Sequence, residues 1–103
     1  MLMNEIKTVI LQNGDIYVPM LNFDDWEDFL SLVSSIKEVV KPDTIRYQGI
    51  TDMSGYFVKE AQRVELEYDE MLGSGMVIRK NDINSNSMDL VNEWIQQIID
   101  YCN

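Results

Sequence analysis

Residues 9–18 have the sequence VILQNGDIYV, which predicts a β-hairpin near the start of the chain. Asn13 and Gly14 separate two apolar runs. Asn-Gly is favoured in two-residue type I′ turns because both central residues need positive φ. Such a turn would pair Leu11 directly with Ile16 on one face of the hairpin.

A helix is predicted over residues 22–40, because apolar residues recur there at steps of three and four. Asn22 is a candidate N-cap, acids crowd the first turns, and Pro42 ends the helix. The predicted buried stripe consists of Trp26, Phe29, Leu30, Val33, Ile36 and Val40.

The segment 45–80 is predicted to be mainly β structure, with alternation clearest over residues 63–68. Strands are expected at 45–50, 56–58, 63–68 and 76–78, with turns at 52–55 and 73–75. One helical turn over residues 56–62 is the alternative for that part of the chain.

A second helix is predicted over residues 88–102, with Asn86 or Ser87 as its N-cap. Its expected buried stripe consists of Val91, Trp94, Ile95, Ile98 and Cys102. The element order predicts one α+β domain over residues 1–103: an antiparallel sheet of about five strands, with two α-helices packed on it. Both tryptophans are expected to lie in the core.

The composition is that of an ordinary globular domain, with 46% apolar and 25% charged residues in a chain of 103. The single cysteine, Cys102, excludes an intramolecular disulfide. No signal-peptide pattern and no apolar stretch of membrane-spanning length occurs, so we expect a cytoplasmic protein that does not engage a membrane.

The residue content disfavours catalysis. There is no histidine, and no phosphate loop, dinucleotide fingerprint or nucleophile elbow is found. Cys102 has no histidine to activate it. We therefore expect no enzyme activity, no catalytic residue and no cofactor.

One segment resembles a calcium-binding loop, because Asp82, Asn84, Asn86 and Glu93 fall at positions 1, 3, 5 and 12 of that motif. Ser87 stands where the motif has its turn-forming glycine, and the usual aliphatic position is also polar. We expect a loop that caps the last helix, and no metal site.

Eighteen acids against eight bases give a net charge of −10, which disfavours direct nucleic-acid binding and favours a basic protein partner. Solubility alone is the alternative explanation. The acids cluster along an alternating strand and at the start of the first predicted helix. The candidate partner-binding residues are Glu60, Glu65, Glu67, Asp69, Glu70, Asp24, Asp25 and Asp28.

In size, charge and predicted architecture the whole chain resembles the small acidic immunity proteins of bacterial polymorphic-toxin and contact-dependent inhibition systems. The resemblance implies a binding protein that neutralises one toxin domain, often a basic nuclease. Two alternatives remain open: a phage-encoded inhibitor that mimics nucleic acid against a defence nuclease, and a non-catalytic adaptor subunit. The oligomeric state and the binding face are not indicated.

Overall fold

A computed structural model describes residues 9–20, 23–49, 53–71 and 73–102. The described elements, in chain order, are β1 (Val9–Ile10), β2 (Ile16–Met20), α1 (Trp26–Ser35), a π-helical turn (Ile36–Val40), β3 (Thr44–Gly49), β4 (Met53–Lys59), β5 (Gln62–Asp69), β6 (Gly73–Ile78), a 3₁₀ turn (Lys80–Asp82) and α2 (Ser87–Cys102).

The described strands form one antiparallel sheet in the order β1-β2-β6-β5-β4-β3. The α+β prediction is confirmed, with six strands instead of about five. Alternate residues of β2, β5 and β6 point into a core shared with both helices. The helices therefore cover one face of the sheet, and the opposite side is called the second face below.

The first hairpin has a different register from the predicted one. Ile10, not Leu11, pairs with Ile16, and the Leu11 N–H donates to the Asp15 carbonyl at 2.8 Å. Within this loop only Gly14 has positive φ (93°). The loop therefore contains three residues, 12–14. Three-residue hairpin loops of this type have a type I turn followed by a glycine with positive φ. The Asn13 side chain accepts a hydrogen bond from the Asp15 N–H at 2.9 Å, which stabilises this longer loop.

Both turns predicted in the β segment are wrong. Residues 53–55 and 73–75 belong to β4 and β6. Gly75 pairs with Pro19 and Glu67 within the sheet, and glycine is needed there because the Tyr17 ring occupies the space of a Cβ atom. The β4–β5 turn is formed by Glu60 and Ala61, which both have positive φ. The alternative of a helical turn over residues 56–62 is also wrong.

Helix α1 begins later than predicted, at Trp26, and the predicted N-cap Asn22 lies outside the described residues. The N-cap is Asp25, whose carboxylate accepts from the Asp28 N–H at 2.9 Å, while the Asp28 carboxylate accepts from the Asp25 N–H. Trp26 is 51% exposed, so its predicted burial is wrong. It is the first residue of the helix, and Phe23 from the preceding segment enters the core there.

Helix α2 confirms most of its predicted stripe. Trp94 is only 3% exposed, and its ring meets Phe57 of β4 edge-on, with ring centroids 5.8 Å apart. Cys102, the last residue of α2, is exposed and not part of the buried stripe. Its Sγ lies 3.4 Å from the Ser35 Oγ at the end of α1.

A buried polar network fastens the start of α2 to the sheet. The fully buried Ser87 hydroxyl donates to the Gln62 Oε1 at 2.6 Å and accepts from the Asn84 N–H at 2.8 Å. The Gln62 amide nitrogen donates to the Asp82 carbonyl at 3.1 Å. Ser87 and Gln62 thus join β5 to the 3₁₀ turn and to the loop that precedes α2.

Replacing Ser87 with alanine is expected to lower the free energy of unfolding by about 1–3 kcal/mol, because the Gln62 carbonyl oxygen and the Asn84 N–H lose a partner inside the protein. Denaturant titration followed by circular dichroism measures this change. The exposed Ser85→Ala in the same loop is the control and should stay near the wild type. Equal stabilities of the two variants would contradict the role given to the network.

Candidate partner-binding surface

The fold brings together two acidic segments that are about 40 residues apart in the sequence. The start of α1 lies against the start of β6: the Ser74 N–H donates to the Phe23 carbonyl at 2.9 Å. A Cβ on Gly73 would lie 3.3 Å from the Asp24 Cα. This places residues 24–28 beside the β5–β6 connection. The resulting surface, called the acidic end, consists of Asp24, Asp25, Glu27, Asp28, Asp69 and Glu70.

The negative charges of the acidic end act on Tyr68, which precedes Asp69 in β5. Burial, and then the negative charges of Glu70, Asp25, Asp69 and Asp28, raise the pKa of the Tyr68 hydroxyl. No lysine or arginine occurs in residues 8–36 or 64–78. Five acids of the acidic end, namely Asp24, Asp25, Glu27, Asp28 and Glu70, are in none of the ion pairs between described residues.

Some of these acids already have structural roles. Asp25 and Asp28 cap α1, and the Asp69 carboxylate accepts from the Met71 N–H at 2.7 Å. The side chains of Asp24, Glu27 and Glu70 make no hydrogen bond or ion pair with any described residue. These three acids can therefore be replaced without breaking a described hydrogen bond or ion pair.

Two exposed apolar side chains are next to acids of the acidic end in the sequence. Trp26 follows the N-cap Asp25, and Met71, which is 90% exposed, follows Glu70. Exposed tryptophans are enriched among residues that dominate binding energy at protein interfaces, while charged surroundings steer the encounter. Trp26 fitted the apolar spacing of the helix and was therefore predicted to be buried. The spacing of Asp25 and Asp28, which is that of a capping box, indicates instead that the helix starts after Asp25.

The acids predicted on the alternating strand lie on the second face, opposite the buried Val64 and Leu66, as the alternation indicates. They do not form an uninterrupted negative row. Glu65 accepts from Arg79, with the Arg79 Nε 2.9 Å from the Glu65 Oε1, and a second ion pair links it to Arg63 at 3.8 Å. Glu67 is exposed and has no ion-pair partner among the described residues.

Glu60 lies apart from the other predicted residues. It forms the β4–β5 turn, where its N–H donates to the Asp43 carboxylate at 3.3 Å. The eight residues of β5 separate this turn from Glu70, a distance of roughly 25 Å. The structure thus groups Asp24, Asp25, Asp28, Asp69 and Glu70, and leaves Glu60 at the opposite end of the sheet.

Asp15 is a buried acid at the other side of Arg79. Its carboxylate accepts from the Lys80 N–H at 2.7 Å and from the Arg79 Nη1 at 2.9 Å. The Lys80 hydrogen bond, followed by the Arg79 hydrogen bond, lowers the pKa of Asp15 below its ordinary 3.8. The hydrogen bonds that the Arg79 guanidinium donates, first to Glu65 and then to Asp15, raise its pKa. Arg79 therefore links the first hairpin to β5.

The pH dependence of this link can be tested with Asp15→Asn. Because the pKa of Asp15 is lower in the folded than in the unfolded chain, its stabilising contribution is present above the unfolded pKa near 3.8 and is lost as pH falls through the folded value. We expect the melting temperatures of wild type and variant to differ at pH 6 and to converge toward pH 2. Asp89→Asn, an exposed control, should show no comparable gap. A gap that widens on acidification would contradict the assignment.

A groove of about 580 Å³ lies on the second face over β3, β4 and β5. All three arginines of the chain, Arg46, Arg63 and Arg79, line it. The Arg63 guanidinium carbon lies 3.8 Å from the centroid of the Tyr56 ring. Sequence reasoning missed this site because the arginines lie in separate strands, and only the strand register brings them together.

The loop that resembles a calcium motif uses its polar groups for the backbone. The Asn84 Oδ1 accepts from the Asn86 N–H at 2.8 Å, and the Asp82 carbonyl accepts from Gln62. Glu93 is exposed on α2. Within the described ranges, no three His, Cys, Asp or Glu residues are grouped so that they could hold a metal ion.

No protein-family model matches the chain, and neither a curated protein nor a solved structure shows significant similarity to it. The helices in the described part of the chain are all too short or too polar to cross a membrane.

Proposed function

We propose that this chain is a non-catalytic binding protein that neutralises a basic protein partner through the acidic end. The observation that carries the proposal is the meeting of two distant acidic segments next to an exposed tryptophan, each segment in a stretch of sequence without lysine or arginine. Opposite charges would steer the encounter, and Trp26 would supply an apolar anchor.

The partner we propose is a nuclease-type toxin domain, which makes this chain an immunity protein. Nuclease domains bind an anionic substrate and therefore present a basic surface. An acidic end docked on that surface would exclude nucleic acid by occupying its site and by repelling its phosphates. This proposal agrees with the resemblance in size, charge and architecture noted from the sequence.

The alternative of a nucleic-acid mimic on the β5 face is less well supported. A mimic needs regularly spaced negative charges, yet Glu65, the first of the acids on the alternating strand, is paired with Arg79 and Arg63. The charge of the second face is mixed, whereas that of the acidic end is uniformly negative. We therefore place the interface at the acidic end.

Affinity capture from the native host, followed by mass spectrometry, tests this proposal. Three baits are compared: the wild type, an acidic-end variant (Asp24→Asn, Glu27→Gln, Glu70→Gln) and a control variant (Asp89→Asn, Glu38→Gln, Glu93→Gln). Both triple variants lose three negative charges, and both lose one acid from the first turn of an α-helix, Glu27 in α1 or Asp89 in α2.

We expect wild type and control to retain the same basic protein, and the acidic-end variant to lose it. Purified partner should then lose its nuclease activity on addition of wild-type chain. Capture of a partner by all three baits alike, or by none, would contradict the assignment of the acidic end.

A further inference from the structure

The second-face groove is lined by all three arginines of a chain whose net charge is −10, together with two acids, Glu65 and Glu67. Only Arg79 among its arginines is held in short ion pairs, with Glu65 at 2.8 Å and Asp15 at 2.9 Å. Arg46 is exposed and has no hydrogen bond or ion pair with any described residue. Arg63 reaches Glu65 only at 3.8 Å, beyond hydrogen-bond distance.

Strand register places these groups around Tyr56. Arg46 of β3 is directly opposite Tyr56 of β4, which in turn pairs with Glu65 of β5. Side chains directly opposite on one face of a sheet lie about 5 Å apart at Cβ. Arg63 stacks on the Tyr56 ring while its side chain stays 42% exposed. The groove thus contains the planar guanidinium of Arg63 stacked on Tyr56, with the Arg46 side chain beside it.

We propose that this groove binds a small aromatic oxyanion, that is, a planar ring that carries a phosphate or carboxylate group. The Arg46 guanidinium would bind the oxyanion through its fork of N–H donors, and the ring would stack on the outer side of the Arg63 guanidinium, whose inner side lies over Tyr56. The hydroxyl of Ser54 and the amide of Gln48, which also line the groove, can bond polar atoms at the ring edge. Its volume lies within the range of small-molecule sites.

This site is separate from the proposed partner surface, since none of its residues belongs to the acidic end. Its test is therefore independent of the proposed function. The probes are adenosine 5′-monophosphate, salicylate, inorganic phosphate and adenosine, each titrated into the full chain at constant ionic strength. Binding is followed by calorimetry and by amide chemical shifts of residues 46–48 and 54–56.

We expect at least one aromatic oxyanion to bind at least tenfold more tightly than phosphate or adenosine, and to shift those amides. The two aromatic probes show whether a phosphate or a carboxylate is preferred. Arg46→Gln should weaken this binding about tenfold or more, because it removes charge-assisted hydrogen bonds. Arg46 has no described partner, so this variant should fold as the wild type does.

Lys80→Gln removes the same charge outside the groove and is the control. Arg63→Gln should also weaken binding of the aromatic probe, because it removes the stacking platform. The proposal is overturned if neither aromatic probe binds, if phosphate alone binds as tightly, or if Arg46→Gln and Lys80→Gln change the affinity equally.

Discussion

Trp26→Ala is expected to weaken binding to the basic partner by about 30- to 1000-fold, the range found when an interface tryptophan that dominates binding is truncated. The reason is the position of its ring: Trp26 is half exposed at the first residue of α1, between the capping acids. The free energy of unfolding should change by less than about 1 kcal/mol, because the side chain is not part of the core.

Tyr101→Ala is the matched control for this prediction. Tyr101 is similarly exposed, at 56%, but lies in the last turn of α2. It should bind like the wild type. Equilibrium titration with the purified partner measures both affinities, and equal affinities of wild type and Trp26→Ala would remove the tryptophan from the interface.

Trp94→Ala, in contrast, is expected to lower the free energy of unfolding by about 3–5 kcal/mol. Trp94 is buried against Phe57, and its removal leaves a cavity between α2 and the sheet. Small domains are stable by only about 5–15 kcal/mol, so the variant should be close to unfolding at 37 °C.

Trp94→Phe should lose less stability, because it keeps an aromatic ring in contact with Phe57. Denaturant unfolding followed by circular dichroism compares both variants with the wild type. A loss below about 1 kcal/mol for Trp94→Ala would mean that the α2 interface is not a main source of stability.

Local patterns predicted most of the secondary structure. The alternation over residues 63–68 gave the correct faces of β5, and the apolar spacing around Trp94 gave the buried side of α2. The β4–β5 turn was not recognisable, because Glu60 and Ala61 adopt positive φ without the glycine or asparagine that usually marks such a turn. Trp26 fitted the apolar period, but the capping box made it the first residue of α1.

The two surfaces depend on contacts between distant segments, which one-dimensional patterns do not specify. The acidic clusters were visible in the sequence, but their union depends on Phe23 pairing with Ser74. The arginine groove depends on the register of three strands, so that Arg46 and Arg63 meet at Tyr56. Glu60 was predicted as a binding residue because it is close in sequence to the other acids. In the structure the length of β5 separates it from Asp69 and Glu70.

The most direct test of the central claim, that the acidic end binds a basic partner, is the association rate measured at 0.1 M and 1 M salt. The wild type is compared with the acidic-end and control triple variants. Over this range the Debye length falls from about 10 to 3 Å, so electrostatic steering is largely removed.

At 0.1 M salt the acidic-end variant should associate at least about tenfold more slowly than wild type, and the control variant nearly as fast as wild type. At 1 M salt the three rates should converge. Equal slowing of both triple variants would show that net charge alone matters, and unchanged rates in the acidic-end variant would show that the interface lies elsewhere.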